Sequence, residues 1–100
     1  MMTATEVLAL VSETLNIEVK SILCDRHFND VDARDIAFTI MREEYIHPDR
    51  ICAVFDIKNK TLFSNWKWRV YEKLGRNKEF TEKYKRCISK IAEMEVEHEN

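Results

Sequence analysis

A chain of 100 residues with one Gly and one Pro has room for a single domain and few tight turns. Its 34% charged residues, with little strand-like alternation, predict an all-α fold. No apolar run approaches the roughly 20 residues needed to cross a bilayer, and Met1-Met2-Thr3-Ala4 lacks the basic-then-apolar order of a signal peptide, which predicts a cytoplasmic address and no membrane partner. The formal net charge of −2 is unevenly distributed. Residues 57–86 carry ten Lys and Arg against three acids (+7), residues 1–56 five against eleven (−6), and residues 87–100 one against four (−3).

Thr3 and Glu6 have capping-box spacing, and Val7, Leu8, Leu10, Val11 and Leu15 follow at helical period. This predicts a first helix from about Ala4 to Leu15, broken by Asn16-Ile17. A short second helix follows over Glu18–Leu23, then a polar connector, Cys24–Asn29, containing Arg26, His27 and Asn29. Asp30 is a good N-cap for a third helix to about Glu44, with Ala33, Ile36, Ala37 and Ile40 as its inner stripe. His47-Pro48 separates this from a short fourth helix, about Pro48–Val54, that buries Ile51 and Phe55. After a turn at Phe55–Lys58, Asn59 caps a fifth helix over about Lys60–Leu74, with Phe63, Trp66, Val70 and Leu74 inward and Gly75 as a left-handed C-cap. Asn77 caps a sixth helix to about Glu95 with Phe80, Tyr84, Ile88 and Ile91 inward. Residues 1–92 thus form one domain, and 93–100 an acidic tail expected to fray.

Cys24, Cys52 and Cys87 are odd in number and lack CxxC spacing, so neither a disulfide framework nor a zinc site is expected. His27, His47 and His98 have no metal-ligand spacing, and there is no Gly-rich phosphate loop, nucleophile motif or HExxH. No enzyme, cofactor, metal or small-molecule substrate is therefore expected.

The basic island opens with Lys58-Asn59-Lys60-Thr61, where a short helix–turn–helix would begin its second helix. Lysines reach phosphates and guanine acceptors, and an asparagine can bridge an adenine edge. The plainer reading is an N-cap with solvated lysines around it. Asn65, one turn beyond Thr61, shares the outward face. Lys67, Arg69, Lys73, Arg76 and Lys78 are candidate phosphate clamps or an ordinary solvated surface, and Lys83, Lys85 and Arg86 read as ordinary surface. Trp66 falls on the buried stripe. Trp68, about 160° away around the helix, falls on the polar face, where it either marks an interface or folds onto the sixth helix.

The order of elements resembles the C-terminal DNA-binding domain of the bacterial replication initiator DnaA. The echoes are Val19-Lys20-Ser21-Ile22-Leu23 before a connector, Ala33-Arg34-Asp35-Ile36-Ala37, Pro48-Asp49-Arg50-Ile51 with Phe55, and Thr61 near the start of the fifth helix. The resemblance spans roughly residues 5–90. It implies a compact bundle of about six helices containing a helix–turn–helix, of Trp-repressor or DnaA C-terminal type, with the fifth helix in the major groove of double-stranded DNA. Where that family reads Gly-Gly-Arg-Asp-His-Thr-Thr-Val, this chain reads Asp56-Ile57-Lys58-Asn59-Lys60-Thr61-Leu62-Phe63, which implies altered base recognition. The family's arginine-rich connector keeps Arg26 and, near it, Arg34, among Asp25, Asp30, Asp32 and Asp35, acids that would repel a phosphate backbone. The expected contacts are thus Lys58, Asn59, Lys60, Thr61, Asn65, Arg26 and Lys67. The alternative is a protein-interaction module that kept the fold and uses the Trp68 face.

Overall fold

The computed structural model describes residues 2–24 and 31–99. Six helices follow one another: α1 (Ala4–Leu15), α2 (Val19–Leu23), α3 (Val31–Glu43), α4 (Pro48–Val54), α5 (Lys60–Arg76) and α6 (Lys78–Glu99). Their ends follow from local chemistry. Thr3 Oγ1 accepts from the Glu6 amide at 3.2 Å and Glu6 Oε1 from the Thr3 amide at 3.1 Å, a complete capping box. Asn16, at φ 57°, turns the chain left-handed after α1, and the Ile17 amide closes onto the Ser12 carbonyl at 3.0 Å. His47 Nδ1 accepts from the Asp49 amide at 3.1 Å ahead of α4, whose first residue is Pro48. Asn77 separates α5 from α6, its Oδ1 accepting from the Phe80 amide at 3.0 Å.

The core is built around α3, which packs against α1, α2, α4, α5 and α6. The sequence predicts an inner stripe on α3, but every residue from Asp35 to Met41 is buried, as is Ala33. A helix surrounded by five others is enclosed on all sides, so the small and apolar residues outside the stripe are covered too. Phe38 stacks on Trp66 with centroids 4.0 Å apart, and Phe55 meets the same indole edge-on at 5.0 Å. Trp66 is therefore a core residue, as its position on the helix predicts. Ala4, Val7, Leu8, Leu10 and Val11 of α1, Ile22 of α2, Ile51 of α4, Val70 of α5 and Phe80 and Cys87 of α6 join this core. Tyr84 donates its hydroxyl proton to Glu43, bracing α6 against the end of α3.

Two helix ends differ from the sequence reading. Gly75 is not a C-cap: its φ is not positive, and α5 continues through it to Arg76. The cap lies two residues later, where the Asn77 amide closes onto the Lys73 carbonyl at 2.9 Å and Thr81 Oγ1 reaches back to the Leu74 carbonyl at 2.9 Å. α6 runs on to Glu99 rather than ending near Glu95; it contains neither Gly nor Pro to stop it. Asp25, Arg26, His27, Asn29 and the Asp30 cap lie outside the described residues.

Candidate nucleic-acid interface

α4, the turn and α5 form a helix–turn–helix held from beneath by Phe55 and Trp66. The Ile57 amide closes onto the Cys52 carbonyl at 2.8 Å, and Asp56 takes a left-handed φ of 54°. Asp tolerates this region better than most side chains, so the turn forms where the resembling family places glycine. Arg34 secures the turn from behind. Its guanidinium donates to the Leu23 carbonyl at 2.7 Å and the Phe55 carbonyl at 3.4 Å, and it lies 5.0 Å from the ring centres of both Phe55 and Trp66. The sequence places Arg34 beside the connector as a residue kept from the resembling family's basic anchor. It joins the end of α2 to the helix–turn–helix, and the Asp35 carboxylate is engaged by Trp66 and Lys73.

The start of α5 faces outward. Lys58, Asn59, Lys60, Thr61 and Asn65 are all exposed. The first turn of α5 contains no acid, so the positive end of the helix dipole is reinforced by lysines rather than neutralised. Among the described residues neither Lys58 nor Lys60 forms an ion pair. Asn59 differs from its expected role. Its Oδ1 accepts from the Thr61 amide at 2.7 Å, so only the amide N–H donors point outward, and a bidentate grip on adenine would require breaking the cap.

Lys67 is half-buried on the flank of α5, its Nζ 5.4 Å from the Trp68 ring centre. Trp68 is 60% exposed, so it is not folded away against α6. Beside it stands Tyr71, 71% exposed, with ring centroids 6.2 Å apart and planes at 79°. Tyr71 was not among the residues expected from the sequence. Its signal is the helical spacing: residues at i and i+3 are neighbours, so an outward Trp68 brings Tyr71 outward beside it.

The inner side of α5 corrects two expectations. Asp35 is 3% exposed; its Oδ1 accepts from Trp66 Nε1 at 2.6 Å and its Oδ2 from Lys73 Nζ at 2.9 Å. Lys73 also meets Asp32 at 2.6 Å, and Lys83 of α6 meets the same carboxylate at 3.1 Å. Asp32 and Asp35 therefore do not face a phosphate backbone: they join α3 to α5 and α6, and they remove Lys73 from the set of phosphate clamps. Lys83 is likewise tied down, bridging to Asp32 and Glu79. Burial pushes the Asp32 carboxyl up, but hydrogen bonds and attraction from Lys73 and Lys83 outweigh it and hold the group below the usual carboxylate range. Burial likewise works against the charged Lys73, and Asp32 and Asp35 outweigh it, raising the ammonium above its ordinary value. What remains open to solvent is Lys58, Lys60, Arg69, Arg76, Lys78, Lys85 and Arg86.

Among the described residues no group of three or more His, Cys, Asp or Glu is arranged to hold a metal ion, and no helix is long and apolar enough to cross a membrane. No protein family, no curated protein and no solved structure matches this chain.

Proposed function

We propose that this chain binds double-stranded DNA, with the N-terminal end of α5 entering the major groove in the manner of the initiator domain that it resembles. Lys58 and Lys60 contact phosphates and guanine acceptors, Thr61 and Asn65 extend along the groove, and the outward amide of Asn59 donates one hydrogen bond. Lys67 and Arg69 meet the flanking backbone, and Arg26 of the connector is the second anchor implied by the resemblance. The observation that carries this reading is the start of a 17-residue helix whose first turn holds no acid and where, among the described residues, Lys58 in the turn and Lys60 on the helix are exposed and form no ion pair. A rival reading, a protein-interaction surface centred on Trp68, draws on the exposure of that indole.

Substitution separates the two. Lys58→Ala with Lys60→Ala is expected to weaken binding to a random duplex and to flatten the log–log salt slope by about 0.9 for each phosphate no longer neutralised. Anisotropy titration of wild type and variant across a salt series reads both quantities. Duplex binding that ignores both lysines contradicts this assignment of the surface. Salt-tolerant binding of a protein that depends on Trp68 supports the rival.

A further inference from the structure

The proposed duplex contacts leave the Trp68–Tyr71 pair unused. Trp68 lies about 10 Å along the helix from Thr61 and Tyr71 about 15 Å, beyond the end that meets base edges. Two large rings, 60% and 71% exposed, are held side by side on a helix whose inner face already contains a full aromatic core. Their immediate neighbours on the outward face are Ser64, Asn65 and Glu72, all exposed and polar. The apolar patch is therefore only two rings wide on a convex helix, smaller than the apolar centre of a standard protein–protein interface. Two copies joined through this face would also bring Lys67 and Arg69 of one against those of the other.

We infer that Trp68 and Tyr71 form a stacking site for unpaired bases, so that the face of α5 beyond its duplex-reading end binds single-stranded nucleic acid. Three features converge on this ligand. Aromatic faces accept any base, because every base has a π-face of its own. Cations flank the rings: Lys67 stands over Trp68, and Arg69 and Arg76 lie exposed on the other side of the helix face. Finally, the ring planes are 79° apart. Parallel bases in a duplex cannot stack on both rings, whereas successive nucleotides of a flexible strand can turn between them. The inference rests on the duplex-binding reading for its basic flank, but not for its rings.

The test uses the full chain, fluorescein-labelled (dT)12, a random duplex and poly-glutamate. Expected are quenching of tryptophan fluorescence by (dT)12, with affinity reduced about tenfold or more in Trp68→Ala/Tyr71→Ala, and duplex affinity changed by less than about twofold. Both side chains are exposed, so the variant keeps its fold, which circular dichroism checks. No quenching, or (dT)12 affinity unchanged in the variant, overturns the inference and leaves the duplex reading untouched. Equal loss of duplex and (dT)12 binding makes the rings part of one duplex surface and also overturns it. Quenching by poly-glutamate as strong as by (dT)12 reduces the site to charge and favours an acidic protein partner. Ring-dependent (dT)12 binding without duplex binding sinks the duplex reading and sustains this one.

Discussion

Trp66 and Trp68 are two residues apart and have opposite fates, and the helical period alone is enough to separate them. One indole is stacked and hydrogen-bonded in the core, the other stands in solvent. Gly75 shows where such local reading stops. A glycine after an apolar stripe normally marks a helix end, yet whether it caps depends on the residues beyond it, and Asn77 supplies the cap two residues later. Because Gly75 sits inside the helix without positive φ, and a Cβ there meets nothing within 4 Å, Gly75→Ala is expected to stabilise the protein. The gain should be about 0.5–1 kcal/mol, measured by urea denaturation. Asp35 carries the opposite prediction. Asp35→Ala strips Trp66 Nε1 of its acceptor and leaves Lys73 with Asp32 alone. A loss of about 2–3 kcal/mol is expected in the same assay, because a buried donor is orphaned.

At the scale of elements, the helices most legible in the sequence are those whose ends are written in adjacent residues. Thr3 with Glu6, Pro48 and Asn59 set the starts of α1, α4 and α5 through contacts two or three residues long. The bracing between helices was not legible. Asp35 and Lys73 are 38 residues apart, and nothing in either neighbourhood marks them as partners. Acids expected to oppose a phosphate backbone are instead the means by which α3 holds α5 in place. This bracing, together with the buried Cys87, makes stability depend on pH. Asp32, with its folded pKa lowered, contributes stability that is present above its ordinary 3.8 and lost as pH falls through the lower folded value. Cys87 and Lys73 act at the other end. Burial pushes the Cys87 thiol up to about 11 from 9.0, so its contribution is complete below pH 9 and fades as pH rises toward 11. That of Lys73 persists to above its ordinary 10.5. Denaturation midpoints from pH 3 to 11 should therefore form a plateau between about pH 4 and 9, falling on both sides. Replacing Cys87 with alanine should flatten the onset of the alkaline fall.

On the scale of the whole molecule, charge and fold divide the labour. A chain with net charge −2 presents exposed cations along α5 and the start of α6, while most of its acids lie in the N-terminal half and the last turns of α6. The six-helix order was readable because apolar residues recur at helical period and capping residues mark several of the helix starts. The surface was only partly readable, because sequence counts all ten cations of the island alike, and folding commits Lys73 and Lys83 to internal pairs. The remaining cations are proposed to form a working face for duplex DNA. Fluorescence-anisotropy titration with a random double-stranded oligonucleotide, repeated across a salt series from about 50 mM upward, tests it most directly. A working duplex surface gives micromolar binding with a clearly negative log–log salt slope that Lys58→Ala/Lys60→Ala makes shallower. No duplex binding even at the lowest salt contradicts it.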